Sequence, residues 1–327
     1  MSRQRYHRLP LGLVAAMLFL AGCAVGPSVT GSFDRDYTVT GPLRLELTEP
    51  SGDVDIRGSA DGKVHVHGEV RASGFGFDNP QKRMDDTLAS PPIEQKGDTL
   101  RVGLDSSHLR HVSVAYTIQV PHDTEVDATV ASGAQTIRDV RGPVKVQAAS
   151  GSIRVEKIER GAQLTTASGV VSASDVGGDV QIKTASGSVN LSDIKGDVNV
   201  TAFSGVIHVV KPGTRVEAGT ASGEVEIQGA SSDVKAHAVS GRVSVQGNPT
   251  ANSYWDLKTA SGAVQLSVPP SASFHLTAEA VAGDIRTDIP IVVEEQGKHS
   301  LRAHMGAGGG RVEVHTVSGE IRVTGAK

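Results

Sequence analysis

"TASGSVNLSDIKGDVNVTAFSG", residues 184–205, begins and ends near a Ser-Gly pair. Val189 and Leu191 stand two apart, as do Val198 and Val200. That alternation marks strands with one buried face. Between the two runs lies a turn bearing Asp193, Gly196 and Asp197. The stretch reads either as one hairpin or as one copy of a repeat, and its surroundings decide. Ser-Gly pairs fall at Ser132, Ser150, Ser168, Ser186, Ser204, Ser222 and Ser240, each step being 18 residues. Such self-similarity signals a stacked-repeat architecture.

Let the Ser of each pair be position zero. Position three then holds Ile153, Val171, Val189, Ile207, Val225 and Val243. Positions five, eight, twelve and fourteen are apolar in the same way, as Val155, Ile158, Val180 and Ile182 show. Position seventeen is mostly Ala, with Phe203 as an exception read as filling a local gap or marking a widened corner. A spacing of two and frequent Gly exclude a helical repeat. A meander of antiparallel hairpins is the rival, but hairpins do not need the same residue every 18 positions. Stacked coils do, because each side chain lies on its counterpart one rung away. The fold class is therefore all-β: a single-chain parallel β-solenoid (β-helix) of about 18 residues per coil. The crossover rule, used by analogy, favours a right-handed coil. Scarce aromatics, 3% of the chain, suit a narrow interior.

The step lengthens to 21 at Ser261 and again at Ala282-Gly283, and Ser318 follows after 36, twice 18. The regular repeats thus span 131–327. Residues 37–130 read as early, irregular rungs of the same 37–327 body, a separate small β domain being the alternative. "SGDVDIRGSADGKVHVHGEV", at 51–70, repeats the design. Residues 73–95 lose the alternation, carry three prolines and read as an insertion looping from one edge. Residues 246–256 are a second interruption and carry the only Trp.

The N-terminus reads as a targeting segment. Arg3, Arg5 and Arg8 precede a short apolar run that ends Leu20-Ala21-Gly22-Cys23. That tetrad resembles the lipobox of bacterial lipoproteins. The resemblance implies a signal peptide over 1–22, cleavage before Cys23, and lipid on Cys23 as the protein's hold on a membrane. Residues 23–36 then form a polar tether. Ala24, rather than Asp, implies the outer membrane in a bacterium with two membranes. Cys23 is the only cysteine, so no internal disulfide forms. Loss of the three arginines takes the net charge from −4 to −7, which argues against nucleic acid as a partner.

Candidate chemistry is thin. No His or Lys recurs beside the Ser ladder, so it lacks the base that nucleophilic catalysis needs; Ser-Gly reads as a corner. Asp175 and Asp193 share position seven, and Asp179 and Asp197 share position eleven. Stacked carboxylates repel unless bridged, which makes these four the candidates for Ca²⁺. The glycine-rich nonapeptide of calcium-binding β-rolls is absent, and solvated turn residues are the favoured reading. His65 and His67 alternate on one strand, while His299, His304 and His315 lie near "GAGGGR", which lacks the lysine of a phosphate loop. Neither set makes a zinc motif, and no cofactor is expected. Paired carboxylates in a cleft, as glycan hydrolysis requires, are not apparent.

The units "SGxVxVxDVxGDVxVxTASG", after "YTIQVPHDTEVDATVASG", resemble a bacterial family of unknown function labelled "putative adhesin". The resemblance covers roughly residues 40–325, and it departs at 204–239, where "GDV" becomes "GTRV" and "SSDV". It implies a β-solenoid envelope protein and carries over no catalytic residue. The expected function is that of a non-enzymatic, lipid-anchored, adhesin-like scaffold meeting an envelope protein or a surface glycan. A polysaccharide-acting enzyme and an envelope-stress accessory protein are the alternatives. The period breaks are the expected contact points, with Phe75, Phe77, Tyr254 and Trp255 as partner-binding candidates.

Overall fold

The computed structural model describes residues 28–74, 79–103 and 111–326. The leader 1–22, Cys23, Phe75 and Phe77 lie outside the described residues. The remainder forms one 25-stranded, largely parallel sheet wound into coils. Asp179–Ile194 shows why one sequence unit makes one coil. Val180, Ile182 and Thr184 point inward, Ala185 and Ser186 both point outward, and Val189, Leu191 and Ile194 point inward again. Its neighbour repeats the pattern in register: Val180 pairs with Val198, Ser186 with Ser204 and Val189 with Ile207. Like-on-like stacking buries Val and Ile columns almost completely, each side chain contributing about 1.5–3 kcal/mol.

Two devices turn the chain. At the Ser-Gly corner, Gly187 has φ 132°. A Cβ there would stand 1.8 Å from the Gly169 carbonyl oxygen on the adjacent rung, so only glycine fits. The second device sits at position seven, where Asp139, Lys157, Asp175, Asp193 and Lys211 all adopt φ between 50° and 59°. This left-handed residue acts as a bulge. It shifts the inward parity from odd positions three and five to even position eight.

The ends depart from simple succession. Ser261 stacks on Ser318, and Ala282 stacks on the far side of Ser318. The strand Gly310–Ser318 is thus interleaved between Tyr254–Ser261 and Phe274–Ala282. The expected run of coils through a 36-residue double step is corrected accordingly. Ser300–Met305 runs antiparallel to Phe274–Ala282, and Val292–Gln296 antiparallel to Ser300–Met305. The N-terminal end is also interleaved. Arg44–Ser51 stacks in parallel on Glu125–Ser132, while Val54–Ser59 lies between Val112–Pro121 and Gln135–Val140. Antiparallel strands close both ends, which limits the open parallel edge that a repeat array otherwise presents.

Two readings of the N-terminal part change. The tether expected over 23–36 is, from Ser28, a strand: Ser28–Thr38 pairs antiparallel with Lys63–Ser73. Phe33 holds it down, buried over Gly68, whose hydrogen leaves room that a Cβ would take from the Phe33 ring. The insertion at 73–95 contains a helix, Pro80–Ala89, rather than only a loop. Asn79 caps it by accepting from the Lys82 amide, and Pro80 opens it. Met84 is buried on its inner side, and Leu88 packs against the core.

Candidate binding surfaces

Tyr254 and Trp255 are adjacent in sequence but face opposite ways. Trp255 stacks on Val234 in the position-twelve column and is fully buried. Its indole Nε1 donates to the Ser232 carbonyl at 2.7 Å. The reading of Trp255 as a partner contact is therefore corrected: alternation with buried Leu257 turns it into the core. Tyr254 stays exposed, and its hydroxyl donates to Glu313 Oε2 at 2.7 Å. That bond, with some burial, pushes the phenol up to about 12.

The four Asp candidates act as corner residues in the structure. Lys211 Nζ stands 3.2 Å from Asp193 Oδ1, so a lysine on the next rung faces the position-seven carboxylate. Asp179 Oδ1 accepts the Asp197 backbone N–H at 2.8 Å, and the Thr214 hydroxyl donates to Asp197. Each carboxylate of this column thus ties the adjacent coil. Among the described residues, no group of three His, Cys, Asp or Glu is placed to hold a metal ion.

His65 and His67 share one face, as their alternation implies, and each meets an acid on the neighbouring strand. His65 Nδ1 lies 2.6 Å from Asp36 and His67 Nδ1 2.8 Å from Asp34, directly across the antiparallel pair. Hydrogen bonds that the His65 imidazole donates to Asp36 and then to Asp61 hold it above its ordinary pKa. His304 pairs with Glu294, whose carboxylate His275 also approaches at 3.9 Å, and His315 pairs with Glu279.

A groove of about 540 Å³ crosses the outward position-thirteen column, with Val126, Pro143 and Val144 among its lining beside the polar row. Gln163, Gln181 and Asn199 stack on successive rungs, each rung about 4.8 Å from the next. Gln163 Nε2 donates to Gln181 Oε1 at 2.9 Å. The Lys145–Asp127 ion pair, 3.0 Å, closes one end. Amides both donate and accept, so this row offers paired hydrogen-bonding groups at regular spacing to a hydroxyl- or amide-bearing chain.

A second surface is apolar, and it corrects the reading of Phe203. Positions twelve, fourteen and sixteen face inward, so position seventeen faces out. Phe203 is 69% exposed, and Val239, Val317 and Val281 of the same column are 60%, 55% and 72% exposed. An open groove of about 720 Å³ runs beside this column, lined by Ala185, Phe203, Gly219, Ala221, His237 and Val239 among others. Parity was the available signal: counting on from Val198 and Val200 puts Ala202 in and Phe203 out.

The comparisons with known proteins bear on the whole repeat. A solved "putative adhesin" from Bacteroides fragilis is 12% identical, with 90% of this chain and 97% of that chain covered and a TM-score of 0.35. Another from Parabacteroides distasonis is 12% identical, with the same coverages and a TM-score of 0.33. A "putative cell adhesion protein" from Clostridium sporogenes is 13% identical, covers 91% of this chain and 100% of its own, and gives a TM-score of 0.22. No curated protein matches the chain. The family described as Toastrack DUF4097 matches residues 43–218 and 213–324, nearly the full solenoid, and the chain belongs to that family.

Proposed function

We propose that the chain is a non-enzymatic, lipid-anchored scaffold of the cell envelope, adhesin-like in role, which binds an extended polar ligand along its side. The lipid anchor rests on Leu20-Ala21-Gly22-Cys23. The observation that carries the binding role is the amide row Gln163, Gln181 and Asn199, set at rung spacing in an open groove. Such a row hydrogen-bonds repeated polar groups of a glycan or an extended polypeptide, and a rigid coil stack holds it without further ordering cost. Its side chains supply no nucleophile–base pair, which fits binding better than turnover.

The test is retention of surface glycans and envelope extracts on the purified chain. Bound material is expected to be released intact. Replacing Gln163 and Gln181 together by Ala is expected to weaken retention by roughly tenfold or more, at about 1 kcal/mol per lost hydrogen bond. Ligand turnover that a single acidic substitution abolishes would replace this reading with an enzymatic one.

A further inference from the structure

The outward position-seventeen column has a size order that a twofold axis can use. Pro50 heads it, stacked on Ala131, and four alanines follow: Ala131, Ala149, Ala167 and Ala185. Then, following the stack rather than the sequence, come Phe203, Ala221, Val239, Ala260, Val317 and Val281. The interleaved last coil is what places Val317 before Val281. Consider a second copy turned end for end about an axis midway between Phe203 and Ala221. Phe203 then faces the second copy's Ala221, Val239 faces Ala185, Val317 faces Ala149, and Val281 faces Ala131. Phe203 and each valine meet an alanine, and each contact occurs twice, as a twofold requires. Among registers that cover at least ten of the eleven residues, this one alone sets Phe203 and all three valines against alanine; Pro50 falls beyond Val281 and stays uncovered. Two copies aligned in the same direction would instead set Phe203 against Phe203 and leave the alanines facing one another.

The flanks agree. The ionised neighbours gather in the later coils and fall opposite neutral residues of the earlier ones. Lys258 faces Thr165, Arg242 faces Ser188, and Glu224 faces Val206. Lys183 faces His237, whose imidazole burial holds below its ordinary pKa. No like charges are brought together, which removes the usual penalty against a wrong partner. The hole for Phe203 is built: Gly219, with no side chain, lies beside Ala221 in the groove. A strip about 43 Å long and 15 Å wide buries roughly 1,300 Å² over both copies, within the range of about 1,200–2,000 Å² for stable interfaces.

We propose that the chain pairs with a second copy of itself as an antiparallel twofold dimer, with Phe203 of each copy seated over Gly219 and Ala221 of the other. The groove of the amide row lies at the rim of this interface and stays open.

Sedimentation of the full chain in mild detergent tests the proposal. The expected species is a dimer with a dissociation constant below about 100 µM. Phe203→Asp is expected to weaken it at least about a hundredfold while leaving the melting curve unchanged, because Phe203 is exposed. Phe203→Ala weakens it as well, and adding Ala221→Phe with Thr201→Gly to that variant restores it, since knob and glycine-floored hole are then exchanged together. Spin labels placed singly at Glu217 and at Lys145, on the same rungs as Ala221 and Ala149 but at the rim, in a Cys23→Ser background, are expected to give a short and a long inter-copy distance respectively. A monomeric parent, a dimer that survives Phe203→Asp, a swap that fails to restore pairing, or equal distances at both labels overturns the proposal.

Discussion

The Gly169 carbonyl oxygen occupies the place a side chain at Gly187 would need, 1.8 Å from where its Cβ would stand. The same contact recurs along the stack, from Gly151 over Gly133 to Gly241 over Gly223. It sets the closeness of adjacent coils at the corner, and the φ of 132° at Gly187 is one that other residues avoid.

Gly187→Ala is therefore expected to cost about 3–5 kcal/mol, combining backbone strain with a forced separation of rungs. Ser186→Ala, at the exposed neighbouring position, is expected to stay within about 0.5 kcal/mol. Denaturant titration of both variants checks the contrast. Equal effects would mean that the corner relaxes and that the glycine contact is not limiting.

The corners and the coil length were readable because the signal is local and repeated. Seven Ser-Gly pairs at six identical steps of 18 fix the rung, and the inward step from Leu191 to Ile194 announces the bulge at Asp193. The ends were not readable in this way. Ser261 meets Ser318 only after an excursion through two antiparallel strands, and spacing along the chain cannot show which coil slips between two others. The binding candidates failed for a different reason. Trp255 was weighed by rarity rather than by parity, although its place two before Leu257 puts it inside. Phe203 was assigned to a gap although the same parity places it outside. The helix Pro80–Ala89 carried its own start signal, Asn79-Pro80, within a stretch read only for its lost alternation.

Trp255 makes a direct check of that correction possible. It is the only Trp in the sequence and is fully buried, so the native protein is expected to show blue-shifted emission that moves to the red on unfolding. Trp255→Ala is expected to lose about 3–5 kcal/mol, because it empties a core slot that Val fills on the next rung. Tyr254→Phe removes one exposed hydrogen bond and is expected to change stability by less than about 1 kcal/mol. A Trp255→Ala variant as stable as its parent would return that side chain to the surface.

Glu49 gives the solenoid a pH-dependent weak point. Its carboxylate is buried at the N-terminal end, accepting from the Val114 and Ser51 amides at 3.4 and 3.3 Å. Its Oε2 and the nearby Tyr116 hydroxyl have no hydrogen-bond partner among the described residues. Burial pushes the Glu49 carboxyl from 4.5 up to about 7, against the opposing pull of those two amides. The folded state thus binds this proton more tightly than the unfolded chain does. The resulting stability is complete below about pH 4.5 and is lost as pH rises through about 7. The loss amounts to about 3 kcal/mol. Glu49→Gln keeps the neutral shape, so it is expected to match its parent near pH 4.5 and to exceed it at pH 8. Urea unfolding at the two pH values measures this, and parallel pH profiles for parent and variant would remove Glu49 as the cause.

Asp179 separates a corner that ties coils from a corner that binds calcium. Its Oδ1 accepts the Asp197 amide at 2.8 Å on the next rung. A hydrogen bond from backbone to carboxylate in a partly solvated turn is worth about 1–2 kcal/mol. Asp179→Ala is expected to lose that amount, while Asp179→Asn, which retains an acceptor oxygen, is expected to lose less than half of it. Lys211 faces the neighbouring column at Asp193 and supplies its countercharge. Adding calcium to millimolar levels is accordingly expected to leave the melting temperature of the parent unchanged, and chelation likewise. A calcium-dependent rise that Asp179→Asn abolishes would make these carboxylates ligands and their hydrogen bonds the resting state of an ion site.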